Sequence, residues 1–117
     1  MSAMASAKTA LRRQVRGSLK GLEEAELLRQ SSEVCERLAR SETFARSRRI
    51  GLFLAMPSSE LRTEGILALA LLQGKQVYCP RVLSVEEARM DFYEVTSVAE
   101  AQALPLSRWK IPEPPER

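Results

Sequence analysis

The chain has 117 residues, with 18 Lys and Arg, 15 Asp and Glu, two cysteines and no histidine. This length allows one domain, and a composition of 44% hydrophobic and 28% charged residues is typical of a globular fold rather than a disordered chain. The absence of histidine excludes a Ser-His-Asp triad, a Cys-His pair and a histidine-bearing zinc site.

The positive charge is concentrated in the N-terminal part of the chain. Residues 1–49 carry a net charge of +5 and residues 50–117 a net charge of −2, so an anionic ligand is expected near the N-terminal part. The apolar run over residues 66–72 is far shorter than the roughly 20 residues of a membrane span. With no secretory apolar segment at the start, we expect a cytoplasmic protein that has reduced cysteines and no membrane partner.

An amphipathic helix is predicted over residues 7–19, with Ser6 as its N-cap. Apolar residues recur every four positions and form one stripe, and a second series of the same spacing places cations beside it. The apolar series is Leu11, Val15 and Leu19, and the cationic series is Lys8, Arg12, Arg16 and Lys20. A second helix is predicted to begin near Leu22 and to end at Ala39, followed by a polar stretch in which Phe44 contacts the core.

A strand, a helix and a second strand follow. The apolar run over residues 49–56 predicts a strand buried on both faces of a parallel sheet, and residues 57–60 predict a loop. Thr63 is the expected cap of a helix over residues 64–72, with Gly74 as its terminating glycine. A strand over residues 76–79, closed by Pro80, completes a βαβ unit with parallel strands.

A third strand is predicted over residues 90–95, and Ser97 with Glu100 forms a capping box that begins a short helix. The residues after 105 are rich in proline and predict an irregular tail, in which Trp109 is expected to seal the core.

These elements predict an α/β fold, a partial three-layer sandwich whose mostly parallel sheet is preceded by a helical pair. The chain is expected to form one truncated domain: a helical part over 1–41, a βαβ unit with a third strand and short helix over 49–104, and the tail over 105–117. Because a sheet of three strands leaves an edge without a neighbour, we expect the chain to self-associate.

The cationic series on the first helix is suited to phosphate groups, since arginine offers a forked set of donors and lysine a point charge. A solvated face of a surface helix explains the same pattern, so both interpretations stay open. A nucleic-acid partner is not expected, because that helix carries no aromatic residue among its cations. The loop after the first strand lies at a carboxyl end, where α/β sheets bind ligands, and brings Leu54, Met56 and Glu60 near such a site; a solvated loop is the alternative.

The segments described above also resemble the 5-formyltetrahydrofolate cyclo-ligase family. They match, in collinear order, only the N-terminal half of the family's pattern. The matching pieces are S-A-K-T-A-L-R-R at 6–13, L-E-E-A-E-L-L-R-Q-S at 22–31, S-R-R-I-G-L-F-L-A-M at 47–56, E-L-R-T at 60–63, G-K-Q-V-Y-C-P-R at 74–81, M-D-F at 90–92, L-P at 104–105 and W-K-I-P-E-P at 109–114.

This resemblance implies an enzyme that uses ATP and Mg²⁺. The formyl oxygen of 5-formyltetrahydrofolate is phosphorylated, a second amine of the folate closes the ring, and phosphate leaves to give 5,10-methenyltetrahydrofolate. The family's K-x-x-L-R segment implies an ATP site at Lys8, Thr9, Ala10, Leu11 and Arg12. Its folate contacts fall on Arg12, Leu54 and Glu60, with one extra residue in the loop before Thr63.

The family's Gly-rich stretch and magnesium ligands have no counterpart here, since the five glycines are scattered at positions 17, 21, 51, 65 and 74. No metal ligand and no catalytic residue is therefore assigned to this chain, and little activity is expected from it alone. A full-length family member is expected to be a monomer. The alternative function is a non-catalytic anion-binding or protein-binding module that uses the basic N-terminal helix, such as a truncated isoform.

Overall fold

The computed structural model of the chain describes residues 2–57 and 60–116. Five helices and three strands follow one another in these residues: α1 (Ala3–Lys20), α2 (Glu24–Ala39), α3 (Glu42–Arg46), β1 (Arg49–Gly51), α4 (Glu64–Leu72), β2 (Gln76–Ser84), β3 (Arg89–Val95) and α5 (Val98–Gln102). The α/β class is confirmed. Part of the predicted loop over residues 57–60 lies outside the described residues.

Helix α1 begins four residues before its predicted start. The hydroxyl of Ser2 accepts a hydrogen bond from the Ala5 N–H at 3.1 Å, so Ser2 and not Ser6 is the N-cap. The intervening residues include alanines and a methionine, which favour helix and extend it toward the N-terminus. None of the residues of α1 is buried, and Leu11 and Val15 of its apolar stripe are 60% and 48% exposed.

The sheet has the order β1-β2-β3. Strands β1 and β2 are parallel and are joined through α4, which confirms the predicted βαβ unit. Strands β2 and β3 are antiparallel, because the four residues between them form a tight turn that permits only a hairpin. The sheet of the described residues is therefore mixed, with one parallel and one antiparallel pair.

The first strand is shorter than predicted and is buried on one face only. Its ladder ends where the Leu52 N–H donates to the Tyr78 carbonyl at 2.9 Å. Beyond that point Leu52 and Leu54 remain buried while Phe53 between them is 44% exposed. The expectation of burial on both faces was wrong. Helices α4 and α5 are the described helices that pack on this sheet, and their buried side chains belong to one core cluster, so they cover one face of the sheet.

The second strand continues through Pro80, where the sequence predicted its end. Gln76 and Tyr78 direct their backbone groups toward β1, so by alternation the nitrogen of Pro80 faces the same side. No residue of β1 is paired at that position. The missing N–H of the proline therefore removes no ladder hydrogen bond, as is usual for proline at an unpaired strand edge.

The core lies between α4 and the sheet. Leu67 and Ala70 of α4 pack against Val77, Cys79 and Val95 of the strands, and all five residues have no solvent exposure. Phe44 is 8% exposed and joins this cluster, as predicted. Helix α4 has the predicted bounds, and Gly74 beyond its end has a φ of +78°, which favours glycine.

The tail is anchored to β2. The Glu113 carboxylate accepts a hydrogen bond from the Val82 N–H at 3.0 Å, and Arg81 donates to the Pro114 carbonyl at 3.2 Å. Glu113 and Pro114 are buried, whereas Trp109 is 42% exposed beneath the Arg108 guanidinium. The expectation that Trp109 seals the core was therefore wrong, since Trp109 stays exposed while Glu113 and Pro114 after it are buried.

None of the helices in the described residues is both long and apolar enough to span a membrane.

Lys75 ties the end of α3 to the start of β2. Its ammonium group donates to the Ala45 and Ser47 carbonyls at 3.2 and 2.7 Å and lies 4.9 Å from the centre of the Phe44 ring. The residue is 8% exposed, so these bonds are made away from water.

We expect Lys75→Met to lower the free energy of unfolding by about 1–3 kcal/mol, because two partly buried hydrogen bonds and the contact with the Phe44 ring are lost. Urea unfolding measures this difference. The control is Lys20→Met on the exposed face of α1, which is expected to change the free energy by less than about 0.5 kcal/mol. Equal unfolding midpoints for the two variants would contradict the assigned role of Lys75.

Candidate functional site

A cavity of about 170 Å³ lies at the carboxyl end of β1, beside the N-terminus of α4. Its wall is mostly apolar, with a few polar side chains around it, as is usual for small-molecule sites. The lining residues come from the segment after β1, from α4, from α5 and from the tail; those used below are Leu54, Arg62, Thr63, Glu64 and Gln102. The crossover connection thus places this cavity where α/β sheets bind ligands.

Two hydrogen bonds connect the elements around the cavity. The Thr63 hydroxyl donates to the Phe53 carbonyl at 2.7 Å, which ties the start of α4 to the segment after β1. This bond replaces the predicted capping bond, since no side chain caps the N-terminus of α4. The Gln102 amide donates to the Glu64 carboxylate at 2.9 Å and links α5 to α4.

Arg62 is the side chain of this region that sequence reasoning missed. One of its terminal nitrogens, Nη1, donates to the Met56 carbonyl at 2.5 Å, and its backbone N–H donates to the Ser31 hydroxyl at 2.9 Å. Its Nε and Nη2 atoms are buried and have no hydrogen-bond partner among the described residues. The available signal was a cation directly before a predicted helix N-terminus, at the carboxyl end of the first strand.

The two predicted folate contacts after β1 differ in their surroundings. Leu54 is 7% exposed and forms part of the cavity wall. Glu60 lies half-buried on the adjoining loop, and none of the described residues forms a hydrogen bond or ion pair with its carboxylate. Leu54 is therefore part of an apolar wall, and Glu60 offers a hydrogen-bond acceptor on the loop that follows.

The predicted ATP residues lie on α1 and point to no cavity shared with Leu54. Lys8, Ala10, Leu11 and Arg12 are exposed, and the Thr9 hydroxyl donates to the Ala5 carbonyl one turn earlier at 2.9 Å. Among the described residues, no hydrogen bond or ion pair joins Lys8, Thr9 or Arg12 to residues 54–57 or to Glu60. The structure therefore does not bring the cationic series and the segment after β1 together.

The two cysteines are free. Burial, with a smaller contribution from the Glu100 carboxylate, raises the pKa of the Cys79 thiol to about 11. Cys79 is thus a protonated core residue at neutral pH rather than a nucleophile. Cys35 is half-buried beside Gly65 of α4.

No three His, Cys, Asp or Glu side chains of residues 2–57 and 60–116 are grouped to hold a metal ion.

Comparison with known proteins identifies the family. Residues 4–117 match the model of the 5-formyltetrahydrofolate cyclo-ligase family. The chain belongs to this family. The match includes α1, the cavity and the tail, so the resemblance inferred from the sequence is confirmed.

Similar proteins are about twice as long as the matched region. The chain is 34% identical over 111 residues to the 5-formyltetrahydrofolate cyclo-ligase of Mus musculus, covering 95% of this chain and 54% of the mouse protein. It is 31% identical to a probable 5-formyltetrahydrofolate cyclo-ligase of Caenorhabditis elegans over 114 residues, covering 97% of this chain and 54% of that protein. The chain therefore spans about half the length of these relatives.

The fold is also similar to that of a solved structure. The NMR structure of the Aquifex aeolicus 5,10-methenyltetrahydrofolate synthetase superposes with a TM-score of 0.72 at 26% sequence identity. The superposition covers 93% of this chain and 52% of that protein. The observed arrangement of helices and sheet thus corresponds to part of a cyclo-ligase fold.

Proposed function

We propose that this chain forms the folate side of a 5-formyltetrahydrofolate cyclo-ligase site. The proposed reaction converts 5-formyltetrahydrofolate to 5,10-methenyltetrahydrofolate. The observation that carries the proposal is the cavity at the carboxyl end of β1, whose wall includes Leu54 next to the loop that holds Glu60. It occurs within a chain that matches the cyclo-ligase family over residues 4–117.

The size of the cavity limits what these residues bind alone. Drug-sized ligands occupy cavities of roughly 300 Å³ or more, whereas this cavity has about 170 Å³. It accommodates one part of a reduced folate, and the remainder of the ligand lies outside it. We propose that Leu54 packs against the apolar part of the folate and that the Glu60 carboxylate accepts hydrogen bonds from ring N–H groups.

The positive charge of α1 suits ATP, but the described residues do not form an enclosed cavity around Lys8 and Arg12. When bound, ATP supplies the phosphoryl group that activates the formyl oxygen. Lys8 and Arg12 are exposed cations one turn apart, and they are the residues that we propose to hold the phosphates. Thr9, Ala10 and Leu11 lie between them and complete the proposed segment.

Magnesium does not fit the described residues, because they offer no group of acidic side chains to ligate it. We therefore assign no step to a metal ion within this chain. The missing Gly-rich cradle and metal ligands are the reason we propose that the described residues bind ligand but turn over little of it.

The alternative of a non-catalytic module is not favoured, because the family match runs over almost the whole chain. We propose ATP and reduced folate as the partners and the cytoplasm as the site of action, without a nucleic-acid or membrane partner.

The folate contact is tested by Glu60→Gln. Because the amide is a weaker acceptor than the carboxylate, we expect roughly tenfold weaker binding of 5-formyltetrahydrofolate, measured by titration calorimetry. Glu86→Gln, on the β2–β3 turn, is the matched control and is expected to bind like the unchanged chain.

Absence of folate binding by the unchanged chain would overturn the proposed function. A second assay measures turnover: the chain is mixed with 5-formyltetrahydrofolate, ATP and magnesium, and the absorbance of the methenyl product is followed. The mouse cyclo-ligase is the positive control. Turnover near that of the mouse enzyme would contradict the proposal that the described residues turn over little substrate.

The ATP contact is tested by the double variant Lys8→Ala with Arg12→Ala. We expect roughly tenfold or greater loss of ATP affinity, because two charge-assisted phosphate contacts are removed. The double variant Arg16→Ala with Lys20→Ala removes the same charge from the same helix and is the control. Equal loss in both double variants would show that only the net charge of α1 attracts ATP.

Self-association through the free edge of β1 is a further proposal. β1 has a single neighbouring strand in the described residues, and Phe53 exposes an apolar ring next to this edge. We expect the molar mass from light scattering to rise with concentration, and Phe53→Lys to reduce this rise. A constant monomer mass would contradict the proposal.

A further inference from the structure

Arg62 carries two N–H donors that the described residues do not use. The Nε and Nη2 atoms are buried without an acceptor, while Nη1 is held by the Met56 carbonyl. None of the described carboxylates forms an ion pair with Arg62. Leaving buried donors of a charged group unpaired costs free energy, so this edge of the guanidinium group is suited to an acceptor from outside the described residues.

The two unused nitrogens define the shape of that acceptor. In a guanidinium group the Nε–H and one N–H of Nη2 point to the same side and form a planar fork for two oxygens. Arg29 shows this pairing within the same chain, because its Nε and Nη2 donate to the two oxygens of Glu26 at 3.0 and 2.7 Å. The fork of Arg62 therefore matches a group with two anionic oxygens, such as a carboxylate or a phosphate.

The carboxylates nearest in sequence do not supply this group. Glu64 accepts its hydrogen bond from Gln102 across the cavity, and Glu60 has no bond to Arg62. The Met56 carbonyl holds the third nitrogen, which fixes the guanidinium group at the carboxyl end of the segment after β1. The unpaired charge is thus positioned by the backbone rather than neutralised.

We propose that Arg62 binds a two-oxygen anionic group of the ligand that occupies the cavity at the carboxyl end of β1. This inference rests on the proposed function, since Arg62 and Leu54 line the same cavity. In a reduced folate the matching group is a glutamyl carboxylate, whereas in ATP it is a phosphate. The position of Leu54 on the proposed folate side favours the carboxylate, and Arg62 acts as a binding residue that orients the folate.

The test follows the side-chain Nε–H signals of the chain by ¹⁵N-edited NMR. Glutarate, inorganic phosphate, ATP, 5-formyltetrahydrofolate and its analogue without the glutamyl group are titrated in turn. We expect a saturable shift of the Arg62 signal with glutarate and with the folate but not with the analogue. Arg81 is the internal control, because its Nε is also buried without a partner and it does not line the cavity.

Variants give an independent measure. Arg62→Gln is expected to weaken folate binding roughly tenfold to a hundredfold, because it removes both charge and fork. Arg62→Lys retains the charge without the fork and is expected to lie between Arg62→Gln and the unchanged chain. Arg81→Gln is expected to bind the folate within about twofold of the unchanged chain, since Arg81 does not line the cavity.

The outcomes separate this inference from the proposed function. If the folate binds but the Arg62 signal stays constant with every anion, the inference is overturned while the proposed function stands. If glutarate shifts Arg62 but neither folate nor ATP binds, the anion site stands and the proposed function fails. A shift with ATP or phosphate alone supports the anion site and assigns it to phosphate, whereas equal shifts of Arg62 and Arg81 overturn it.

Discussion

The packing of α4 against β2 is the interaction on which the rest of the structure depends. Leu67 and Ala70 on the helix and Val77 and Cys79 on the strand are all removed from water, and burial of such apolar side chains is the main favourable term in folding. Since α4 connects two parallel strands, this contact also fixes where the segment after β1 must end. The cavity lies at that point because the helix begins there.

The same packing leaves other surfaces without cover. Phe53 and Phe92 are 44% and 49% exposed on the face opposite α4, and the Phe92 ring lies 3.4 Å from where a side chain on Gly51 would begin. An alanine at position 51 would therefore make a van der Waals contact with this exposed ring. Together with the exposed stripe of α1, these residues show that the described part of the chain buries its apolar surface on one side of the sheet.

Two arginines illustrate how one chemical group takes different roles. Arg29 meets Glu26 on the surface of α2, and its hydrogen bonds lower the pKa of that carboxyl to about 2. Arg62 has the same fork but meets backbone oxygen on one side and no carboxylate among the described residues. Spacing along a helix determines the first pair, whereas the turn between β1 and α4 determines the surroundings of Arg62.

Local signals were sufficient for much of the fold and for part of the site. The bounds of α4, Gly74 as its terminating glycine and the cap at Ser97 depend on neighbouring residues and were predicted; the Ser97 hydroxyl accepts from the Glu100 N–H at 3.0 Å. The continuation of β2 through Pro80 was not, because it depends on which edge of the strand has a partner. Leu54 lines the cavity at the carboxyl end of β1, as expected for the segment after a buried strand, because the chain order defines that end.

The sequence by itself determined the family, the order of the helices and strands apart from α3, and the candidate residues, because these follow from patterns of neighbours along the chain. Only the tertiary structure decided that α1 lies exposed, that the Thr63 hydroxyl donates to Phe53 rather than capping α4, and that Nε and Nη2 of Arg62 meet no acceptor among the described residues. Those outcomes depend on which groups distant in sequence come together in the fold. Each polar group forms a hydrogen bond with a partner that the packing places within reach.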